Sequence, residues 1–307
     1  MRLSVVIPTR DRPELLADCL ESIVGQPEPP GGLEVLVIDD GSAEPLEPTV
    51  TPFAGRGLPV RCVRQAAAGL NAARNQGLRD ADGELVAFLD DDTIVGPGWA
   101  IAVHEGFERE HCDVIGGRIT LKLEDGLPRW LTEKQLGYLS RYDLGETPRE
   151  VDEPLLPFGA NLALARSALE GVEPFRVGLD RVGSSLVSNG EIELLRRIRA
   201  AGGRIVYWPA AAVAHRVPPE RLTKDWFRRR ARAQGISDVR SDEGGAGGYP
   251  LRLGRELLRT GRAAPILVRR LIEGRGTFDS LLWVTYCRGR IEELGRRRAA
   301  DSRSSMS

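Results

Sequence analysis

The sequence predicts an α/β protein with a doubly wound, mostly parallel sheet and a helical extension at the C-terminus. Short apolar runs typical of strands alternate with amphipathic runs typical of helices through residues 1–117, which indicates parallel βαβ units. Two of the apolar runs, 33–38 and 84–89, are followed at once by acidic residues. The carboxyl ends of parallel strands meet at one edge of a sheet, where open α/β folds bind their ligands. We therefore expect the functional site at that edge.

The individual elements follow from the spacing of apolar residues. Runs of aliphatic and β-branched residues predict strands at 3–7, 33–38, 60–63, 84–89, 114–117, 158–164, 205–208 and 212–217. Stretches with apolar residues along one side predict helices after Asp11 and over 70–78, 99–110 and 191–201. Asp11 with Glu14, and Ser167 with Glu170, have the spacing of a capping box, so we expect both pairs to open helices.

Composition limits the classes of partner and the cellular compartment. The chain has 307 residues, with 43 Lys and Arg against 44 Asp and Glu, so net charge gives no argument for nucleic-acid binding. It has no apolar run of transmembrane length. Because the first strand is predicted to begin at residue 3, we expect no signal peptide. The four cysteines are far apart in sequence and predict free thiols in a reducing cytoplasm.

The stretch 84–92, ELVAFLDDD, places three carboxylates directly after a strand predicted to be buried. Adjacent carboxylates repel one another unless a cation or hydrogen-bond donors hold them. On this pattern alone, a metal site, a turn and a solvated acidic loop are all open.

Four motifs resemble a known family. They are 5–12 (VVIPTRDR), 37–42 (VIDDGS), 73–77 (ARNQG) and 88–92 (FLDDD). Their order and spacing are similar to those of the nucleotide-sugar half of family 2 glycosyltransferases, which have the GT-A fold. The downstream 159–162 (GANL), the helix that starts near Glu191, and His215 are similar to the acceptor half. The resemblance covers roughly residues 1–240.

The resemblance implies a donor site at the acidic strand end. Asp90 and Asp92 stand in the positions of the family's DxD motif, with Asp90 nearer the ribose and Asp92 nearer a metal ion. Mn²⁺ or Mg²⁺ suits such a site, because these hard cations prefer carboxylate oxygen and stabilise a departing diphosphate. Asp91 belongs to the same nucleotide-sugar pocket, as a structural neighbour rather than a ligand.

The resemblance also implies a nucleotide pocket around the first two strands. Asp40 matches the residue that accepts a hydrogen bond from the base, commonly uracil, although a turn at 39–41 would need the same residues. Pro8, Thr9 and Arg10 would line this pocket. Arg74 would face the diphosphate or hold the aspartates, unless it is a solvated helix residue.

Inverting transfer needs a base that takes the proton of the acceptor hydroxyl. The family has a carboxylate, commonly aspartate, at the start of a helix, and Glu191 occupies that position here. Glu193 is the alternative, but residues two apart on a helix point to different sides. We expect Ile192, Leu195 and Ile198 to form the buried side of this helix. His215 stands where some relatives supply a further metal ligand, and a core histidine is the other interpretation.

These inferences predict a catalytic domain over 1–218, divided into a nucleotide-sugar-binding half at 1–117 and an acceptor half at 118–218. An arginine-rich helical extension follows at 219–298, with helices at 251–272 and 278–298, and 299–307 is expected to be disordered. The arginines could form a solvated face with internal ion pairs. They could also make a peripheral contact with the inner membrane face, or a homodimer surface.

The predicted function is the metal-dependent, inverting, non-processive transfer of a sugar from a nucleoside diphosphate donor, UDP-type by the resemblance, to an acceptor hydroxyl. The acceptor would be a saccharide, a lipid-linked saccharide or a small molecule, in polysaccharide or glycoconjugate biosynthesis. A sugar nucleotidyltransferase is a second possibility, but 8–13 (PTRDRP) lacks the glycines of its phosphate loop. A catalytically inactive carbohydrate-binding or scaffold protein is a third.

Overall fold

The structure is a computed structural model that describes residues 1–179, 186–242 and 278–304, with isolated positions between 253 and 269. The chain forms two compact units. The first comprises 1–123, 139–178 and 190–217, and the second comprises 124–138, 179–189 and 218–307. The predicted division into a nucleotide-sugar-binding half at 1–117 and an acceptor half at 118–218 stays a prediction.

The first unit is built on one nine-stranded sheet. Its strands are β1 (Leu3–Thr9), β2 (Leu33–Asp40), β3 (Val60–Gln65), β4 (Leu85–Leu89), β5 (Thr93–Val95), β6 (Val114–Lys122), β7 (Arg149–Glu150), β8 (Asn161–Ala165) and β9 (Ile205–Arg216). Its α-helices are α1 (Pro13–Ile23), α2 (Glu47–Ala54), α3 (Leu70–Asp80), α4 (Trp99–Glu110) and α5 (Gly190–Ala200). In the second unit the long helices are α6 (Lys224–Ser241) and α7 (Phe278–Ser304).

The strand order is β3-β2-β1-β4-β8-β6-β9-β5, with β7 beside β9. The strands β3, β2, β1 and β4 are parallel, whereas β8 is antiparallel to both β4 and β6. The chain adds β2 and β3 on one side of β1 and then returns to place β4 on the other side. Right-handed crossovers therefore put α1 and α2 on one face and α3 on the other. The predicted doubly wound sheet is confirmed, and its switch point lies between β1 and β4.

Burial explains why the strands around the switch point have nearly continuous apolar sequences. Every residue of β1, β2 and β4 is buried, as expected for strands covered on both faces. Helix α3 packs closely on β1 at Gly77, where a Cβ atom would lie 2.2 Å from Val6 Cγ1. Replacing Gly77 by any other residue would push α3, and the side chains it presents, away from the sheet.

Both predicted capping boxes are wrong. Helix α1 begins at Pro13, and the Asp11 carboxylate accepts a hydrogen bond from the Ala43 amide instead of from its own helix. Proline supplies the helical φ and has no N–H to satisfy, while Asp11, at φ +55°, turns its side chain toward the loop after β2. The short 3₁₀ helix Arg166–Leu169 also begins without a side-chain cap.

Three further differences come from strand pairing and helix packing. The strands predicted at 205–208 and 212–217 are one strand, β9, whose pairing with β6 shifts register between Gly117 and Ile119. Pro209 lies in the shifted stretch, where an N–H is not needed for the ladder. The packed side of α5 consists of Leu194, Leu195 and Ile198. Ile192, which was expected on that side, is only partly buried. Helix α2 and the short strands β5 and β7 were not predicted.

The second unit contains the arginine-rich helices. Helix α6 begins after Thr223, whose hydroxyl accepts a hydrogen bond from the Trp226 amide. Helix α7 continues to Ser304, so the described part of the expected disordered tail is helical. The helix predicted at 251–272 falls mostly outside the described residues. Within the described ranges, none of the helices has the length and apolar character of a membrane-spanning segment.

Candidate active site

The candidate site lies at the carboxyl ends of β1, β2 and β4, around the switch point. Asp90 follows β4, Thr9 ends β1 and Asp40 ends β2. The parallel register of β1 with both neighbours brings these three ends to the same edge. The edge predicted from the sequence is therefore the edge that carries the polar residues.

Asp91 is buried and ties the ends of β1 and β4 together. Its Oδ2 accepts a hydrogen bond from the Thr9 hydroxyl at 2.8 Å, and its Oδ1 accepts one from Arg12 Nη1 at 3.0 Å. Burial and the adjacent Asp92 carboxylate raise the pKa of Asp91 to about 6. Asp91, and after it Asp92, raise the pKa of the Arg12 guanidinium. Arg12 is thus a counter-ion for the carboxylates at the end of β4.

Asp92 and His215 meet because β5 pairs with β9, which places Thr93 opposite His215. His215 Nε2 lies 3.2 Å from Asp92 Oδ1, and both side chains are buried. His215 Nδ1 is buried as well and has no hydrogen-bond partner in the described part of the chain. Neighbouring ligands of an octahedral cation lie about 3 Å apart. One carboxylate and one imidazole at this separation fit two positions around a divalent cation, and the imidazole favours Mn²⁺ over the harder Mg²⁺.

Two protein ligands do not complete such a site. Among the residues that the structure describes, no group of three or more His, Cys, Asp and Glu side chains is arranged to hold a metal ion. Arg12 Nη1 also lies 3.6 Å from Asp92 Oδ2 and partly balances its charge. A cation held by Asp92 and His215 would take its remaining ligands from phosphate oxygens and water, as Mg²⁺ commonly does.

Arg74 connects Asp90 with Glu191. The guanidinium is buried, with 3% of the side chain exposed, and lies 3.5 Å from Asp90 Oδ1 and 3.6 Å from Glu191 Oε2. A buried guanidinium needs anionic partners to offset the loss of hydration, and these two carboxylates supply them. One cation therefore links a carboxylate at the end of β4 to one at the start of α5.

The two acidic residues at the start of α5 have different surroundings. Glu193 is buried and forms a bidentate pair with Arg197 at 2.7 and 2.8 Å, one turn along the same helix. Arg176 lies 3.9 Å from it. Glu191 points to the opposite side, toward Arg74, as the spacing of two residues requires. Glu193 is therefore held in a buried ion pair with Arg197, whereas Glu191 lies at the site.

Asp40 interacts with its own chain. Its Oδ1 accepts hydrogen bonds from Gln65 Nε2 at 2.7 Å and the Ala68 amide at 2.9 Å, and its Oδ2 accepts one from the Gly69 amide at 2.9 Å. These contacts hold the loop that leads into α3. Each carboxylate oxygen has two acceptor directions, so Oδ2 retains capacity for a ligand donor.

The sequence comparisons identify the family. The profile described as Glycosyl transferase family 2 matches residues 4–170, more than half of the chain. The protein is a family 2 glycosyltransferase. The glucosyl-dolichyl phosphate glucuronosyltransferase of Haloferax volcanii is 25% identical over 247 residues, 77% of this chain and 76% of the relative. The pre-mycofactocin glycosyltransferase of Mycobacterium tuberculosis is 29% identical over 237 residues, 75% of this chain but only 45% of the relative. This chain thus spans less than half of the second relative.

Solved structures give the same fold. The mannosyltransferase PcManGT from Pyrobaculum calidifontis, in complex with GDP-Man and Mn²⁺, has a TM-score of 0.62 and 20% identity, covering 97% of this chain and 87% of the other. S. aureus TarS 1–349, in complex with UDP, has a TM-score of 0.54 and 18% identity, covering 97% and 92%. At these identities the likeness concerns the fold alone. The glycosyltransferase has the GT-A fold predicted from its sequence, with the C-terminal helices as an extension.

The predicted pocket residues of this glycosyltransferase lie in different settings. Pro8 is buried within β1, whereas the Arg10 side chain is 47% exposed and lies 3.4 Å from Asp11. Arg10 therefore lies at the solvent-exposed edge of the predicted nucleotide-sugar pocket. Arg12, two residues later in the same motif, reaches the carboxylates instead. The sequence contained no signal that separates these arginines, because the turn after β1 decides which one points inward.

In the motif 159–162, Gly159 leaves space for a neighbouring side chain and Asn161 forms hydrogen bonds to other segments. A Cβ atom on Gly159 would lie 2.2 Å from Arg74 Nη2, so any other residue at this position would require the guanidinium to move. Asn161 donates its amide to the carbonyls of Arg118 and Ala211 and accepts a hydrogen bond from the Trp99 indole. The motif that includes Gly159 and Asn161 was thus noticed in the sequence without its partners being evident.

Proposed function

We propose that this glycosyltransferase moves a sugar from a nucleoside diphosphate donor to an acceptor hydroxyl with inversion, in a metal-dependent and non-processive reaction. The observation that carries the proposal is the placement of Asp90 and Glu191 on two sides of Arg74, at 3.5 and 3.6 Å. One carboxylate belongs to the switch-point edge, where α/β folds bind nucleotides. The other begins a helix and is 13% exposed. A donor and an acceptor could therefore meet between groups suited to each.

In this proposal Glu191 is the general base. Its carboxylate accepts the proton of the acceptor hydroxyl while that oxygen attacks the anomeric carbon and the bond to the diphosphate breaks. Attack from the face opposite the leaving group inverts the configuration. Glu193 cannot share this role from its buried pair with Arg197.

The donor is held at the ends of β1, β2 and β4. Asp90 binds the ribose, and Asp40, through the remaining acceptor direction of Oδ2, binds the base. Pro8, Thr9 and Arg10 line this pocket, with Asp91 fixing its floor. Asp92 and His215 would hold Mn²⁺ or Mg²⁺, and a cation there offsets the negative charge that develops on the departing diphosphate.

A UDP-type donor is supported by the resemblance around Asp40 and by S. aureus TarS, whose structure contains UDP. GalNAc-T7, also similar in fold, is described with UDP, GalNAc and Mn²⁺. PcManGT is described with GDP-Man and Mn²⁺, so a GDP-type donor is the alternative to be tested.

The decisive experiment is a thermal-shift panel of nucleoside diphosphates and nucleotide sugars, each with and without Mn²⁺. A ligand that binds only the folded state stabilises it by mass action. We expect UDP and a UDP-sugar to raise the melting temperature in the presence of Mn²⁺ and much less without it, and Asp92→Asn to lose the metal-dependent part. If no nucleotide changes the melting temperature, the proposed donor site is wrong. If a GDP-sugar stabilises instead, only the UDP assignment is wrong.

A further inference from the structure

Arg74 has a second set of neighbours that no part of the reaction assigned above uses. Its Cζ lies 5.4 Å from the centre of the Phe175 ring. The guanidinium also lies against Gly159, where a Cβ atom would come within 2.2 Å of Nη2. The charged group is therefore enclosed by an aromatic ring and a glycine backbone, in addition to its two carboxylates.

The Phe175 ring is itself held in place. The Asn75 side chain donates through Nδ2 to the Phe175 carbonyl at 2.7 Å and accepts from the Phe175 amide at 3.0 Å. The ring packs edge-on against Phe88 of β4, with centroids 5.1 Å apart and an interplanar angle of 85°. Phe175 is 2% exposed, so it has little freedom to move away from Arg74.

Helix α3 carries both the cation and the residues that hold its aromatic neighbour. Asn71, Arg74 and Asn75 are spaced i, i+3 and i+4 and lie on one side of the helix. Asn71 Nδ2 donates to the Arg176 carbonyl at 2.8 Å, so two asparagines attach the 175–176 segment to α3. A Cβ atom on Gly190, the first residue of α5, would lie 2.0 Å from Asn71 Nδ2. The same side of α3 therefore lies against the start of the helix that carries Glu191.

We infer that Phe175, held by Asn75, is a positioning residue that fixes the Arg74 guanidinium between Asp90 and Glu191. The ion-pair distances of 3.5 and 3.6 Å are longer than good charge-assisted hydrogen bonds. These carboxylates alone therefore do not determine where the guanidinium lies, whereas the neighbouring Phe175 ring and Gly159 backbone restrict it sterically. Aromatic rings also attract guanidinium groups, and more strongly when buried. The inference rests on the proposed role of Glu191 and adds the residues that set its charged partner.

The test is a double-mutant cycle between Phe175→Leu and Arg74→Gln, measured as kcat and as KM for the donor. Leucine keeps most of the apolar volume and removes the ring face. We expect Phe175→Leu to lower kcat by roughly tenfold, the size of a buried cation–π contact, with a smaller change in KM. In the Arg74→Gln background it should change kcat by less than about twofold, because the ring then has no cation to position.

Three variants serve as controls. Asn75→Ala should reproduce the loss seen with Phe175→Leu, since it releases the ring without altering it. Gln76→Ala, on the next residue of α3, should leave kcat unchanged because that amide bonds Asp80. Phe53→Leu removes a buried ring of α2 whose centre lies 5.7 Å from Arg56 Cζ. This variant therefore also loses a ring–cation pair, but away from the site, and should leave kcat unchanged.

A spectroscopic measurement makes the test independent of turnover. In ¹⁵N spectra of the wild type, Arg74 should show separate, slowly exchanging Nη signals, assigned by their loss in Arg74→Gln. Phe175→Leu and Asn75→Ala should average these signals, and Phe53→Leu should not. The inference would be overturned if the double mutant lost kcat by the product of the two single-mutant factors. Unchanged Arg74 signals in Phe175→Leu would overturn it as well. Retained turnover in Glu191→Gln would instead refute the proposed base, while the coupling of Phe175 to Arg74 would still be measured.

Discussion

The ends of β2 and β4 look alike in the sequence but differ in what holds their carboxylates. At the end of β2, backbone amides supply most of the hydrogen bonds: Asp39 accepts from the amides of Ser42 and Leu46, and Asp40 accepts from two amides and the Gln65 side chain. The one cationic neighbour described at this end is Arg64, 3.8 Å from Asp39. At the end of β4 the partners are instead side chains from distant parts of the chain, and most of them are cationic or ionisable. They are Thr9, Arg12, Arg74 and His215.

The difference separates two uses of the same residue type. Backbone amides stabilise a carboxylate and fix the loops that supply them, so the end of β2 is well satisfied without any ligand. Long cationic side chains can exchange one anionic partner for another, which is what a site for a diphosphate and a metal requires. Adjacent acids therefore indicate a charged binding site only when backbone amides do not supply most of their partners.

The largest expected effect is on turnover at the end of β4. Asp92→Asn removes a charge next to His215 and should lower kcat by roughly 10²- to 10³-fold, as the loss of a group that stabilises developing charge does. The comparison is with Asp39→Asn, which should retain kcat within about threefold of the wild type in the same assay. Equal losses of turnover in the two variants would remove the distinction between the strand ends.

The stability of the fold should respond in the reverse order. Asp39 is fully buried, and in Asp39→Asn an amide group faces backbone N–H donors that need an acceptor. Leaving such donors unsatisfied should lower the free energy of unfolding by roughly 2 kcal/mol. Urea denaturation of both variants measures this. Asp92→Asn should lie closer to the wild type, since replacing one of three neighbouring carboxylates relieves repulsion.

Asp40 combines the two effects, because it is held by the surrounding loop and is also proposed to bind the base. Asp40→Asn keeps one oxygen acceptor and loses the other, so we expect the free energy of unfolding to fall by about 1 kcal/mol. Because the same residue is proposed to bind the base, KM for the donor should also rise severalfold while kcat changes little. Isothermal titration with the nucleoside diphosphate checks the binding part. A change in stability without a change in affinity would assign Asp40 to the loop alone.

An effect that is absent at neutral pH and develops only at alkaline pH concerns Cys19, which is buried near the Asp90 carbonyl. Burial raises the pKa of its thiol from 9.0 to about 12, and the nearby aspartates add to this. Between these pH values the folded chain binds more protons than the unfolded chain, so stability falls as the pH rises above 9.

Relative to Cys19→Ala, the wild type should therefore lose up to roughly 1.4 kcal/mol per pH unit in that range. Below about pH 8, where the thiol is protonated in both states, the difference between the two proteins should be constant. Urea titrations from pH 7 to 10.5 measure it, and parallel curves over the whole range would show that the thiol ionises as freely in the folded chain as in the unfolded one.

Much of the glycosyltransferase is determined by its sequence alone. The strands β1, β2 and β4, the helix α4 and the edge that carries the site follow from local apolar patterning and from the rule that parallel strands end together. The family follows from four short motifs, because their order and spacing along these elements are similar to those of family 2 glycosyltransferases. Such features depend on neighbours within a few positions, which a sequence displays directly.

The tertiary structure decided the partners. Asp91 meets Thr9 across 82 positions, Asn161 meets Trp99 across 62, and Phe175 meets Asn75 across 100. Which of Arg10 and Arg12 faces the carboxylates, and which of Glu191 and Glu193 faces the site, depends on how loops and helices pack around the sheet. A short sequence pattern does not contain these choices, since each is set by steric fit and charge between segments that meet only in the folded chain.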